Sequence, residues 1–275
     1  MSRKAVAGGA AGAVGGGDLP GMTDPADIAA CADIVARGDP DRFMAVMAAP
    51  PGRRAGLFTL YAFNLEIARA PWVTQEPMIA QMRLQFWRDV VNEAGEAPPR
   101  AHEVAGPLAG LIVSGSLPKA LFESVIAARE TDIERAPFDD EATLWRYLEA
   151  SSGDLLALAV RVMGVDADAA ARRYGTAQGL ANYLLAIPAL EAAGRVPLPD
   201  GRPAAVARLA RAGLDRLAAA GRVDRAGRPA LLAAWRARAI LKQAARDPAA
   251  VGQGRLGQSE FQRRGSLLWR SFIGP

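Results

Sequence analysis

The sequence predicts an all-α protein folded as a single domain, and three observations carry that prediction. The apolar residues, within a hydrophobic fraction of 51%, are mostly Ala, Leu and Val with few long β-branched runs, which favours helix over sheet. From Asp24 onward they recur at helical spacing nearly throughout. No stretch alternates with period two for long enough to make a strand, and neither an internal repeat nor a shift in composition divides the chain. Length alone, 275 residues, would allow one large domain or two small ones.

Residues 1–23 read as a disordered tail. MSRKAVAGGAAGAVGGGDLPG is rich in Gly and Ala, which bury too little to offset chain entropy, and it lacks the continuous apolar segment of a secretory signal. A helical domain is expected over residues 24–258. Asp24-Pro25 is a cap followed by a first-turn proline, opening a helix through Ala36. Gly38-Asp39-Pro40 breaks it, and Asp41 is placed to cap the next stretch, where Phe43, Met44 and Met47 share a face. After Pro50-Pro51-Gly52 comes a helix from about Arg53 to Arg69, apolar around most of its circumference and therefore expected in the core.

Met78 to Asn92 forms the next helix, and a Gly/Pro-rich loop from Gly95 to Pro107 precedes apolar helices near 107–115 and 118–134. Asp139 or Asp140 caps a helix over Glu141–Leu148; an apolar stretch follows over Gly153–Met163. Ala167–Leu190 is helical up to Pro188, which lacks the N–H that an interior turn needs. Arg195-Val-Pro-Leu-Pro is an extended turn, and residues 203–247 read as two amphipathic helices. The remainder, 259–275, is a short basic and aromatic segment.

Several function classes are disfavoured. The formal charge of +4 and pI near 9.6 come from arginines spread along helices, the pattern of solvated faces rather than of nucleic-acid binding. Cys31 has no partner for an internal disulfide, and a zinc site needs several Cys or His ligands. The lone His102 sits in a loop with no supporting group nearby in sequence. No window offers the roughly 18–20 apolar residues of a membrane span, so a cytoplasmic chain, at most peripheral on a membrane, is expected. Gly15-Gly16-Gly17 has no preceding strand, and no nucleophile elbow, P-loop or H-E-x-x-H pattern occurs. Acidic residues gather at Glu130, Asp132 and Glu134 and again at Asp139, Asp140 and Glu141. Arg129 and Arg135 flank the first group and a helix start favours the second, so pairing and capping are expected rather than Mg²⁺ binding.

Tyr61-Ala62-Phe63-Asn64 resembles the Tyr-Ala-(Phe/Trp)-Cys-Arg opening of the squalene/phytoene synthase family. Arg83-Leu84-Gln85-Phe86-Trp87-Arg88-Asp89 is similar to that family's Trp-Arg-Asp helix. Gly179-Leu180-Ala181-Asn182-Tyr183-Leu184-Leu185-Ala186 with Gly194-Arg195-Val196-Pro197-Leu198-Pro199 resembles its second signature, and Tyr147 and Gly153 fall where it has a Tyr and a Gly. The resemblance runs from about Asp41 to Pro199. It implies an isoprenoid-synthase-type helical bundle whose central cavity is lined by the helices carrying Tyr61–Ala68 and Gln178–Leu185.

That family binds prenyl diphosphates through Mg²⁺ bridged to two groups of aspartates, because a diphosphate leaves only when its charge is neutralised. Here Ala68 and Arg69 stand at the first pair, Ala186, Ala189 and Leu190 at the second, and Leu185 replaces the motif arginine. Catalytic residues and bound metal are therefore expected to be absent, and no cofactor is implied. Phe63-Asn64-x-Glu66, Glu76-Pro77, Met82 to Trp87, and Ala177-Gln178-Gly179 with Ala186-Ile187-Pro188 resemble the branch formed by the mitochondrial complex I (NADH dehydrogenase) assembly factor. The resemblance implies a non-catalytic protein that assists assembly of respiratory complex I at the membrane, with assembly proteins or subunits as partners and a lipid or prenyl ligand as a candidate occupant of the cavity. The alternative is an active prenyltransferase of carotenoid or hopanoid precursor synthesis, which would need Mg²⁺.

Tyr61, Asn64, Arg83, Gln178 and Asn182 form the expected polar remnant of the cavity, as ligand contacts or as buried structural hydrogen-bonders. A buried Arg83 would need an acidic partner, and Glu66 is the candidate. On a helix from Ser259, Phe261, Leu268 and Phe272, flanked by Leu267, Trp269 and Ile273, make an apolar surface beside Arg263, Arg264 and Arg270. Two readings stand for it: contact with an anionic membrane through Arg263, Arg264, Trp269, Arg270 and Phe272, or a segment that folds back and caps the bundle with Trp269.

Overall fold

Proline and aspartate punctuate the helices and decide where each begins. The computed structural model describes residues 24–273, the side chain of Ile273 excepted; the expected tail at 1–23 lies outside them. Helix α1 (Pro25–Gly38) starts with the Asp24 carboxylate accepting the Ala26 N–H at 2.8 Å. Helix α2 (Pro40–Met47) is capped by Asp39, which accepts the Arg42 N–H at 2.9 Å, and not by Asp41 as its position suggested. Pro40 occupies the first turn, where its missing N–H costs nothing, and that sets Asp39 one residue outside the helix. Asp41 is thereby free for a tertiary role. Helices α3 (Pro51–Arg69) and α4 (Pro77–Glu93) also open on proline. After α5 (Ala105–Ser114), α6 (Lys119–Glu134) ends at Arg135 in the left-handed region, φ 59°.

The second half departs more from expectation. Helix α7 (Glu141–Leu148), capped by Asp140, one of the two expected candidates, passes into α8 (Asp154–Val162) through a π-helical turn at Glu149–Gly153. Helix α9 (Asp168–Ala192) continues through Pro188 for a further turn. The region 203–247 is α10 (Pro203–Ala218), a short turn α11 (Arg228–Leu231) running into a 3-10 turn (Leu232–Ala234), and α12 (Ala237–Arg246), in place of two helices. Short α13 (Ala249–Gly252) and α14 (Glu260–Ile273) follow. No strand occurs among the described residues.

Apolar side chains collect on two sides. One cluster joins α1, α3, α4, α5, α6 and α8 around Tyr61, Phe63, Leu84, Phe122 and Leu158. Phe63 packs edge-on against Trp87 and Phe122, each at 5.6 Å between ring centroids. The other joins α7, α9, α10 and α12 around Leu148, Leu180, Leu184 and Ile240. Tyr174 of α9 packs against both. His102 has a local role: its Nδ1 accepts the Val104 N–H at 3.1 Å and its ring packs edge-on to Trp87.

Where α9 crosses the π-helical turn, backbones replace side chains as the packing surface. A Cβ on Gly175 would stand 2.9 Å from the Gly153 Cα, and one on Gly179 would stand 2.6 Å from the Ser152 Cβ. Gly175→Val should therefore cost about 2–3 kcal/mol through overpacking. Gly52→Ala, in the first turn of α3 with open space around it, should be neutral or stabilising by up to about 1 kcal/mol. Urea unfolding of the two variants checks this; equal midpoints would show that the crossing is not tightly packed.

Candidate functional site

Helix α3 carries the first cluster of expected site residues into the interior. Tyr61 and Asn64, one turn apart, are 2% and 4% exposed. The Tyr61 hydroxyl and Asn64 Oδ1 have no hydrogen-bond partner among the described residues. Arg42 of α2 reaches over the Tyr61 ring, 5.1 Å from its centroid, and pairs with Asp39 at 3.4 Å. Burial pushes the Tyr61 phenol up to about 12, with Arg42 opposing the shift. Gln178 is buried on α9. Arg83 and Asn182 are both exposed, on α4 and α9. The expected Arg83–Glu66 pair does not form; Glu66 faces Arg69 at 3.6 Å instead. The side of α4 carrying Ala80, Leu84 and Trp87 takes the core contacts and turns Arg83 outward. Helix α9, which carries Gln178, contributes Ala171 to the cluster around Tyr61 and Leu180 to the other.

The positions that the resemblance aligns with the metal-binding aspartates do not fit Mg²⁺. Ala68, Ala186, Ala189 and Leu190 supply no side-chain oxygen, and the fifth position, Arg69, is a cation on the surface. No group of three or more His, Cys, Asp or Glu side chains converges into a metal site among the described residues. Glu191 lines a cavity of about 240 Å³ with Ile187, Val196, Leu198, Pro248 and Val251. A second cavity, about 290 Å³, lies by Glu149, Arg172, Thr176 and Arg216. Neither is lined by residues 61–68 or 178–185.

Sequence reasoning missed a polar cluster that joins α6, α7, α9 and the turn after α9. Arg129 donates to Asp132 at 3.3 Å and to the Tyr147 hydroxyl at 3.2 Å, while that hydroxyl donates to Asp132 at 3.1 Å. Arg195 donates to the Asp132 carbonyl at 2.7 Å and lies 4.3 Å from the centroid of the Trp72 ring. Tyr183 donates to the Pro197 carbonyl at 2.8 Å. Burial raises the Tyr147 and Tyr183 phenols well above their ordinary range, and the Asp132 charge adds to both shifts. These phenols therefore stay protonated near neutrality and can donate hydrogen bonds but cannot act as bases. The Asp132 carboxylate is already held by a guanidinium and a hydroxyl. The signal in the sequence was Arg129 beside the acidic group, which predicts pairing but not with which element. Glu130 is likewise taken up, by Arg88 at 2.8 Å.

Helix α14 folds back on the bundle, with a different side inward from the one expected. Arg263 pairs with Asp41, which also holds Arg236. Leu267, 9% exposed, packs with Ala45, Leu232 and Trp235. Arg263 is thus a structural ion pair and not a free outward charge. Trp269 does not cap the bundle; it is exposed with Phe272 and Arg264, and Arg270 is half-buried.

Residues 35–202 match the sequence profile of the squalene/phytoene synthase family. The chain is 33% identical over 178 residues to an NADH dehydrogenase (ubiquinone) complex I, assembly factor 6 homolog of Drosophila melanogaster, covering 62% of this chain and 52% of that protein. It is 29% identical over 172 residues to assembly factor 6 of Bos taurus, with the same coverage. The chain thus spans about half the length of the curated relatives it matches. Among solved structures, a dehydrosqualene synthase in complex with ligand superposes with a TM-score of 0.73 at 15% identity, over 90% of this chain and 96% of that one. The squalene synthase HpnC from Alicyclobacillus acidocaldarius superposes with a TM-score of 0.67 at 18% identity, over 85% and 96%. At such identities the superpositions establish the shared helical fold.

Removing the unpartnered Tyr61 hydroxyl should cost nothing or stabilise slightly, whereas Tyr147→Phe, which breaks bonds to Asp132 and Arg129, should cost about 1–3 kcal/mol. Chemical denaturation of both variants tests the contrast, and an equal loss for Tyr61→Phe would mean that its hydroxyl has a partner. The raised Tyr61 pKa favours the folded state at every pH below its ordinary value near 10, and that contribution is lost as pH rises from 10 towards 12. Tyr61→Phe should therefore flatten the alkaline decline of the unfolding midpoint; an unchanged slope would assign the decline to other groups.

Proposed function

We propose a non-catalytic role in the assembly of respiratory complex I for this chain, which belongs to the squalene/phytoene synthase family. One observation carries the loss of catalysis: the positions of both metal-binding motifs hold Ala68, Arg69, Ala186, Ala189 and Leu190. A leaving diphosphate must have its charge neutralised. The carboxylates Asp132 and Glu130 are already bonded to Arg129 and Arg88. On this reading the protein acts with no bound metal or cofactor. The fold is kept because its buried faces position surfaces for a partner.

The choice of client is supported by relatives named for assembly of complex I, the NADH dehydrogenase. Its partners would be subunits or assembly proteins of that enzyme, met at the membrane surface. Among the described residues no helix is long and apolar enough to cross a membrane. Any membrane contact through these residues would therefore be peripheral.

Two measurements test the reading. Affinity capture of the tagged chain from native membranes should enrich NADH dehydrogenase subunits, and deleting its gene should lower the amount of assembled complex. Titration calorimetry with Mg²⁺ and a prenyl diphosphate analogue should give no saturable, metal-dependent heat. Release of diphosphate from a prenyl substrate would establish the prenyltransferase instead, and capture without any respiratory subunit would remove the assembly role.

A further inference from the structure

We infer that the outer face of α14, together with the adjoining edge of α12, is a docking surface for an anionic lipid bilayer. Helix α14 is held with Arg263 and Arg270 inward, while Glu260 and Arg264 stay exposed. At its start the Gln243 amide of α12 clamps Gly257, donating to its carbonyl at 2.8 Å and accepting its N–H at 3.1 Å. One turn into the helix Arg263 meets Asp41, and a further turn on Leu267 enters the small cluster with Ala45 and Trp235. These anchors fix the rotation of the helix about its axis. With Arg263, Leu267 and Arg270 turned to the bundle, Phe261, Leu268, Trp269 and Phe272 face outward, 86%, 62%, 63% and 80% exposed. A helix rotated the other way would hide those aromatic rings and hydrate the arginines. The Asp41 pairs oppose that rotation.

The charge around this face selects the partner. Arg238 and Lys242, one turn apart on α12, are exposed. Arg238, Lys242 and Arg270 have no carboxylate within ion-pair distance among the described residues. Burial and the neighbouring Arg238 both act against the charge on Arg270, and Tyr174 acts for it. A second copy of the chain is a poor occupant, because a twofold contact would set these cations against their own images. A surface of anionic headgroups over an apolar interior answers both features: aromatic and aliphatic side chains enter the acyl boundary, and the cations meet the phosphates. The inference does not depend on the assembly role.

Co-sedimentation of the full chain with vesicles tests it, using phosphatidylcholine alone or mixed with phosphatidylglycerol. The expected result is binding to the anionic vesicles at low salt, weakened by high salt. The variant Phe261→Ser/Trp269→Ser/Phe272→Ser, altered only at exposed positions, should keep its melting temperature and partition about tenfold less. Arg238→Glu/Lys242→Glu should lose the preference for anionic over neutral vesicles. No binding to anionic vesicles at low salt overturns the inference. So does a triple variant that binds as well as the parent, or self-association in the ultracentrifuge that the triple variant abolishes. The vesicle assay contains no other protein, so its failure would leave the assembly role standing.

Discussion

Where α9 crosses the π-helical turn between α7 and α8, the two backbones meet with glycine on both sides, and this close approach sets the spacing of the bundle. Gly175 and Gly179 of α9 face Ser152 and Gly153 with no room for a Cβ. The π-helical turn lets α7 and α8 run on as one rod while the extra residue is accommodated at the crossing. α9 then reaches both apolar clusters, and Tyr174 packs against each. Side chains project from α9 to the α10 and α12 side through Leu180 and Leu184, and the helix end delivers Arg195 to the Asp132 carbonyl.

Around that frame, charge is used for construction. Arg129, Asp132 and Tyr147 bond to one another inside the bundle, and Arg172 pairs with the buried Asp154, which also accepts from the Ser124 hydroxyl at 2.6 Å. The guanidinium compensates each carboxylate where it sits, and removing it would strand a buried charge. The same economy operates at Asp41, freed from capping by Pro40 and bound to both Arg236 and Arg263. Through that one carboxylate, α2, the start of α12 and the C-terminal helix are tied together, and the rotation of α14 follows.

Much of the fold was legible because helices here begin at Asp–Pro and Pro–Pro steps and bury sides spaced by helical periodicity. Tyr61, Asn64 and Gln178, expected through the family resemblance as buried polar residues, are buried, and Asp140 is one of the two aspartates expected as a cap. The passage through Pro188 was missed, since a proline removes one interior hydrogen bond while the packing of Leu184 and Ile187 outweighs the loss. The expected pairing of Arg83 with Glu66 does not form, for a different reason. Its helix could be placed from the pattern, but which neighbour each arginine meets depends on rotations that sequence spacing does not set.

The sequence by itself determined that the chain is helical and that the last helix mixes arginines with aromatic side chains. Those are properties of residue type and local spacing, and they hold whatever the helices pack against. Only the tertiary structure decided that Asp132 is already engaged, that Arg83 and Asn182 face outward, and that Arg263 turns inward while Phe261 and Phe272 turn out. The last of these rests on a partner far away in the chain, Arg263 and Asp41 being 222 residues apart, and a local pattern holds no record of which distant charge will be there to meet it.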